Sequence, residues 1–326
     1  MACRNTGFEI IEKNNIDDNF ISELSTQINQ EKKITKTAIV ITGATGCGKS
    51  SFALQLAKKI DGVIINADSR QIYKQIPIIT AQPTNEEKQE IPHFLYGFKD
   101  ITDIQKQYSV GDYLIDLTNT LTDIKNNYHK KTPIIVGGTM LYIDSMLNGI
   151  NNIPEIPFDI SKDIRNKYKN KSTETIFNDL KKIDSKYADI VDKNNTNRII
   201  RGIEVFVATG KSIVDFWDNN RNNKNIVLND YFGNIKKYII TLPRDILYER
   251  INKRFDLMIK SGGIEEAQML YEYCLNKNID IEKLPKTIGI QELFSYFQNK
   301  ISLKTAIEKA KQMSRNYAKR QITWWK

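Results

Sequence analysis

Residues 43–50 are the part of this chain whose residue types and spacing have the clearest chemical meaning. Their sequence, Gly-Ala-Thr-Gly-Cys-Gly-Lys-Ser, matches the pattern G-x-x-x-x-G-K-[ST] of phosphate-binding loops. The glycines allow backbone amides to converge on a phosphate, and Lys49 adds a positive charge beside them. The loop therefore predicts a polyphosphate site, although it does not by itself indicate what happens to that phosphate.

Asp68 is a second candidate because it follows the short apolar run 62–66. Ligands of open parallel sheets bind at the carboxyl ends of the strands, so this carboxylate is expected beside the phosphate loop. A carboxylate there could be a magnesium ligand, a general base or the N-cap of a helix. Position alone leaves these three roles open.

The apolar run 133–136 ends in Gly137, Gly138 and Thr139. Two glycines permit a close approach of backbone to a ligand or simply a tight turn, and Thr139 offers a hydroxyl at the same sheet edge. Kinases and ATPases usually have a strand that ends in Asp at such a position. The absence of such an Asp here favours a loop that holds a leaving diphosphate while another atom attacks carbon.

Three arginines, Arg244, Arg250 and Arg254, lie in a helical pattern that follows the apolar run 237–242. Arginines at this edge could clamp a diphosphate as it gains charge on leaving. A solvated helix face would show the same spacing.

The elements that position these residues are apolar runs separated by helical patterns. Runs at 38–42, 62–66, 133–136 and 237–242 predict strands, and helices between them imply parallel pairing with right-handed crossovers. We therefore predict an α/β fold, an open parallel sheet flanked by helices. The predicted divisions are an N-terminal extension at 1–35 with at most a helix, a catalytic core at 36–153 and 235–326, and a polar helical insertion domain at 154–234.

Composition limits the classes of protein that fit. No apolar run in the 326 residues approaches the ~20 needed to cross a bilayer, and Cys3, Cys47 and Cys274 lie too far apart for a disulfide framework or a zinc knuckle. We therefore expect a cytoplasmic protein without a membrane partner. The net charge of +9 suggests a polyanionic partner, and residues 301–326 carry seven basic groups against one acidic group.

Ordered motifs along the chain resemble the tRNA dimethylallyltransferases, also called tRNA isopentenyltransferases. Besides the phosphate loop they are Asn-Ala-Asp-Ser-Arg-Gln-Ile-Tyr (66–73), Val-Gly-Gly-Thr-Met-Leu-Tyr (136–142), Asn-Arg-Ile-Ile-Arg-Gly-Ile-Glu-Val (197–205) and Ser-Arg-Asn-Tyr-Ala-Lys-Arg-Gln-Ile-Thr-Trp-Trp (314–325). The resemblance implies a P-loop NTPase-like core. It also implies transfer of the dimethylallyl group of dimethylallyl diphosphate to N6 of adenine 37, in the anticodon stem-loop of tRNAs that read codons beginning with U.

The same resemblance implies roles for individual residues. Asp68 would be the general base, Thr139 would line the prenyl channel, and Arg244 would clamp the diphosphate, with Arg250 as a second candidate. Mg²⁺ would bind at Ser50, and we expect a monomer. The implied diphosphate-binding residues are Gly43, Ala44, Thr45, Gly46, Cys47, Gly48, Lys49 and Ser50. The implied tRNA contacts are Asp68, Ser69, Arg70, Gln71, Arg165, Asn197, Arg198, Ile199, Ile200, Arg201, Lys286, Thr287 and Gly289.

The chain departs from the family pattern at individual positions. Ile290 stands where the family often has Tyr, which predicts the loss of one aromatic contact, and Phe94 stands where a second His is common.

An adenylate isopentenyltransferase that acts on free AMP, ADP or ATP would share the loop and Asp68. A P-loop small-molecule kinase and a non-catalytic RNA-binding protein are the alternatives from other classes.

Overall fold

The computed structural model of the protein describes residues 7–104, 108–151, 153–219 and 228–325, without the side chains of 218 and 219. The chain divides into two compact units. One comprises Met1–Leu147 with Val227–Lys326, and the other comprises Asn148–Ile226. Residues 219–225, an Asn-rich tract of the predicted insertion domain, lie largely outside the described residues.

The first unit is built on a six-stranded sheet in which every described strand pair is parallel. Its spatial order is β1-β6-β2-β5-β3-β4. The strands are β1 (Glu9–Glu12), β2 (Thr37–Gly43), β3 (Gly62–Asn66), β4 (His93–Phe94), β5 (Thr132–Gly137) and β6 (Asn234–Thr241).

Helices alternate with the strands along the chain, as parallel pairing requires. In the first unit they are α1 (Asp18–Glu31), α2 (Lys49–Ile60), α3 (Asn85–Glu90), α4 (Val110–Asn127), α5 (Met140–Asn148), α11 (Arg244–Met258), α12 (Ile264–Asn276), α13 (Ile290–Phe297) and α14 (Leu303–Trp325). In the second unit they are α6 (Phe158–Tyr168), α7 (Thr173–Ile183), α8 (Ser185–Ala188), α9 (Thr196–Thr209) and α10 (Ile213–Asn219). The predicted parallel sheet flanked by helices is confirmed.

The central strands carry buried apolar side chains on both faces. Ile39 and Ile41 of β2 pack in a cluster with Phe52 and Leu56 of α2, whereas the intervening Val40 is buried on the opposite face. Strands buried on both faces read as continuous apolar runs without alternation, which is why β2, β3 and β5 could be predicted from sequence.

The N-terminal region differs from its prediction as an extension with at most a helix. Its first described strand, β1, pairs in parallel with β6, and α1 buries Ile21, Leu24 and Ile28 in the same cluster as α2. The prediction failed because β1 is a four-residue edge strand with one buried side chain, Ile11, which gives almost no periodic signal.

The second unit packs its helices around its own apolar cluster, which includes Ile176, Leu180, Ile199 and Ile203. Gly202 of α9 permits one close approach, since a Cβ there would collide with the Tyr187 ring. The unit begins at Asn148 and ends at Ile226, whereas we predicted 154–234. Asn234 belongs to β6, because it pairs with Thr37 of β2.

Candidate active site

The phosphate loop connects β2 to α2 at the carboxyl edge of the sheet. Gly46 and Gly48 have φ of +83° and +96°, values that favour glycine, and Lys49 is the first residue of α2. Gly43 lies so close to β6 that a Cβ would stand 2.5 Å from Ile240 O. The loop therefore has the left-handed turns and the helix N-terminus that a phosphate-binding loop requires.

Three neighbouring strand ends bring the predicted residues to one edge. In the order β2-β5-β3, the phosphate loop follows β2, Gly138 and Thr139 follow β5, and Asp68 follows β3. Gly137 is needed here because any Cβ would collide with the backbone of Ala67. The two glycines thus allow protein backbone and side chains to approach closely.

Gln321 of α14 joins two of these strand ends, and sequence analysis did not identify it. Its Oε1 accepts a hydrogen bond from Thr45 N at 2.8 Å, and its Nε2 donates to Gly138 O at 2.7 Å. The side chain is 1% exposed. A buried glutamine with both ends bonded fixes the phosphate loop relative to the turn after β5.

The Asp68 carboxylate is held by one of its oxygens. Its Oδ1 accepts a hydrogen bond from Arg70 N at 2.9 Å, and Asp68 N donates to Oδ1 of the buried Asn66 at 2.8 Å. Within the described parts of the chain, Oδ2 accepts no hydrogen bond. Asp68 therefore both caps its own turn and retains an oxygen that can take a proton.

Two hydroxyl groups lie at the sheet edge that carries Asp68. Thr139 Oγ1 accepts a hydrogen bond from Ser69 N at 2.8 Å, and Tyr317 OH donates to Gly138 O at 3.4 Å. Burial, followed by the negative charge of Asp68, raises the pKa of Tyr317 to about 12. The Tyr317 hydroxyl therefore stays protonated near neutral pH and is a hydrogen-bond donor at this edge.

Arg250 and Arg254 of α11 lie against the phosphate loop. Arg254 Nη2 donates to Thr45 Oγ1 at 2.8 Å, and a Cβ built on Gly48 would lie 3.4 Å from Arg250 Nη2. Surrounding protein atoms lower the pKa of Arg254 and the charge of Asp68 raises it, but an arginine remains charged at neutral pH. Arg244, which the resemblance names as the clamp, has its guanidinium 5.9 Å from the Tyr248 ring centroid.

The loop offers one exposed hydroxyl to a metal, that of Ser50. Within the described ranges there is no group of three or more His, Cys, Asp or Glu side chains that could hold a metal ion. Mg²⁺ commonly retains several waters and binds through one or two protein oxygens plus substrate phosphates. The donor set at the loop fits such an ion, which would share Ser50 with a bound diphosphate.

The predicted tRNA contacts of the first unit differ in how far their side chains are exposed. Gln71 Nε2 donates to Thr80 O and Ala81 O at 2.9 and 2.7 Å, which ties it to the following turn. Lys286 is exposed, whereas Thr287 and Gly289 are buried at the start of α13. Ile290 is fully buried as well, so the position where the family often has Tyr is a core position in this chain.

In the second unit, Arg165 and Arg201 share the buried Glu204. Arg165 Nε lies 2.8 Å from Glu204 Oε1, and Arg201 Nη1 lies 3.5 Å from Oε2. Asn197 and Arg198 are exposed. In contrast, the side chains of Ile199 and Ile200 lie in the hydrophobic cluster, and their contact with tRNA stays a prediction.

No helix in the described part of the chain is long and apolar enough to cross a membrane.

The family model for IPP transferase matches residues 71–326. A tRNA dimethylallyltransferase of Rickettsia conorii is 38% identical over 291 residues, 89% of this chain and 77% of that protein. One from Agrobacterium fabrum is 35% identical over 289 residues, 89% of this chain and 93% of that protein.

Solved structures agree with this similarity. A eukaryotic dimethylallyltransferase acting on tRNA matches with a TM-score of 0.72 at 31% identity, over 89% of this chain and 70% of that chain. The full-length tRNA isopentenylpyrophosphate transferase of Bacillus halodurans matches with a TM-score of 0.59 at 31% identity, over 89% and 86% of the two chains. The P-loop NTPase-like fold expected from the motifs is confirmed.

Proposed function

This chain belongs to the IPP transferase family, and we propose that it transfers the dimethylallyl group of dimethylallyl diphosphate to N6 of adenine 37 in tRNAs that read codons beginning with U. The observation that carries the proposal is the Asp68 carboxylate, which keeps an oxygen available at the strand end beside the phosphate loop. A base and a diphosphate holder at one sheet edge support alkyl transfer, in which the carbon–oxygen bond breaks.

The phosphate loop holds the leaving group. Backbone amides at the start of α2 and the ammonium of Lys49 bind the diphosphate, and Arg250 and Arg254 neutralise charge that develops as it leaves. The contact of Arg254 with Thr45 and the position of Arg250 over Gly48 support this role. Arg244, at the start of the same helix, is proposed as a further diphosphate ligand.

Asp68 receives the proton. As adenine N6 attacks the first carbon of the prenyl group, the nitrogen gains positive character, and Asp68 Oδ2 removes a proton from it. The hydroxyl of Thr139, which is bonded to the neighbouring Ser69 N, and that of Tyr317, whose pKa the charge of Asp68 raises, would help to orient the reacting groups. Adenine 37 must leave the anticodon stack to reach this edge.

Mg²⁺ is the proposed cofactor, with the Ser50 hydroxyl as its protein ligand. When bound, it neutralises negative charge on the diphosphate oxygens. The exposed hydroxyl beside the helix N-terminus supports this assignment.

The partner is the anticodon stem-loop, and the protein is proposed to act as a cytoplasmic monomer. Polar and basic residues of the predicted set would contact the RNA, chiefly the exposed Lys286, Asn197 and Arg198 and the half-buried Arg70. Basic side chains of α14 would add ionic-strength-sensitive backbone contacts.

The proposal is tested by incubating the protein with Mg²⁺ and dimethylallyl diphosphate labelled in the prenyl group. The acceptor is either an anticodon stem-loop with adenines at positions 36 and 37 or free AMP. Label should appear on the stem-loop and not on AMP. Label on AMP alone would instead identify an adenylate isopentenyltransferase.

A further inference from the structure

The N-terminal segment delivers a lysine to the phosphate loop. Lys13 directly follows β1, and a Cβ built on Gly48 would lie 3.0 Å from Lys13 Cε and 3.2 Å from Lys13 Cδ. The same point lies 3.4 Å from Arg250 Nη2. The side chain of Lys13 and the guanidinium of Arg250 therefore both lie against the last glycine before α2.

Strand register explains why Lys13 reaches this position. Ile11 of β1 pairs with Ile240 of β6, and Gly43 of β2 pairs with the same Ile240. The three parallel strands thus end at one level. Lys13 stands two residues beyond Ile11, as Thr45 stands two residues beyond Gly43, so both leave the sheet at the same edge.

The core of the first unit anchors the segment that carries Lys13. Ile11 is 5% exposed, and Ile21 and Ile28 of α1 are 1% and 0% exposed in the cluster that contains α2. Lys32 Nζ also donates to Ile60 O, at the end of α2, at 2.7 Å. The backbone on both sides of Lys13 is therefore tied to the helix whose N-terminus forms the phosphate site.

The charge of Lys13 has no acidic counterpart among the described residues, where its ammonium forms no ion pair or hydrogen bond. A half-buried lysine beside an arginine, at a helix N-terminus, is a cationic arrangement that an anionic ligand would stabilise. We infer that Lys13 is a diphosphate ligand, so that the N-terminal segment completes the site that Lys49, Arg250 and Arg254 form. This inference rests on the proposed diphosphate site.

The test measures binding of inorganic pyrophosphate with Mg²⁺ to the full chain by calorimetry at moderate salt. Lys13→Met keeps the alkyl chain over Gly48 and removes the charge, and it should weaken pyrophosphate binding by about 10-fold. Lys13→Arg should restore most of the affinity. Lys33→Met removes an exposed lysine from the same segment and should leave affinity unchanged.

The outcomes separate the two claims. If the unaltered protein binds pyrophosphate and Lys13→Met binds it equally well, Lys13 only covers Gly48 and the inference is overturned. If the unaltered protein does not bind pyrophosphate, the proposed diphosphate site fails, and the role of Lys13 fails with it. Affinity of Lys13→Met for the stem-loop alone should remain unchanged, because the charge acts on the diphosphate.

Discussion

The side chain of Gln321 accepts a hydrogen bond from the backbone amide of Thr45 at 2.8 Å, across 276 residues of sequence. Through its donation to Gly138 O, the C-terminal helix α14 fixes the phosphate loop beside the strand end that carries Thr139. The geometry of the loop that is proposed to bind the leaving group thus depends on a residue from α14.

Gln321→Ala should therefore disturb the phosphate loop without removing any of the charged groups that are proposed to bind the diphosphate. Thr45 N loses its hydrogen-bond partner and Gly138 O keeps only the longer bond from Tyr317, which costs about 1–3 kcal/mol of unfolding free energy. We expect kcat/KM for dimethylallyl diphosphate to fall about tenfold. Steady-state kinetics and urea denaturation measure both effects. Gln312→Ala on the exposed side of the same helix is the control, and equal effects of the two substitutions would exclude a special role for Gln321.

Asp68→Asn should separate chemistry from structure. Asparagine keeps a side-chain oxygen for Arg70 N but cannot accept the proton from the adenine amine. We expect single-turnover transfer to fall at least 100-fold, whereas stem-loop affinity, measured by fluorescence anisotropy, should change little. Loss of RNA binding or of folding would instead identify Asp68 as a structural cap.

Arg198→Ala should weaken tRNA binding through the loss of a phosphate contact. Arg198 is exposed at the start of α9, and its guanidinium has no ion-pair partner among the described residues. The slope of log K against log salt should decrease in magnitude by about one. Titrations at several salt concentrations measure this slope. Pyrophosphate affinity is the internal control, and an unchanged salt slope would contradict the contact.

The stability of the protein should depend on the protonation of His93. Burial lowers the pKa of His93 from its ordinary value of 6.5, and a hydrogen bond with Ile91 O partly opposes this. The unfolded chain then binds a proton at a higher pH than the native state does. The contribution of His93 to the free energy of unfolding is therefore fully present above pH 6.5. It is lost as the pH falls through the lower pKa that His93 has in the native state.

Denaturation curves between pH 5 and pH 8 test this dependence. The fall in unfolding free energy below pH 6.5 should be smaller in His93→Gln than in the unaltered protein. The chain has two histidines, and His129→Gln, which changes the exposed one, is the matched control. An identical pH dependence in His93→Gln would contradict the assignment.

Sequence analysis predicted the parts of the fold that depend on local pattern. The central strands are continuous apolar runs, and the phosphate loop is a fixed motif, so both follow from neighbouring residues. Gln321 and Lys13 could not be found in this way, because their roles depend on the packing of α14 and on the register of β1 with β6. The burial of Ile199 and Ile200 could not be predicted from their motif, because a motif does not distinguish its exposed members from its buried ones.

The central claim is that the phosphate loop holds a leaving group and does not pass a phosphate on. Dimethylallyl diphosphate labelled with carbon-14 in the prenyl group and phosphorus-32 in the diphosphate tests it in one reaction with the anticodon stem-loop. All carbon-14 that reacts should be found on N6 of adenine 37, and an equal amount of phosphorus-32 should be released as inorganic pyrophosphate. Phosphorus-32 on the RNA, or pyrophosphate release without carbon-14 on the RNA, would contradict the account.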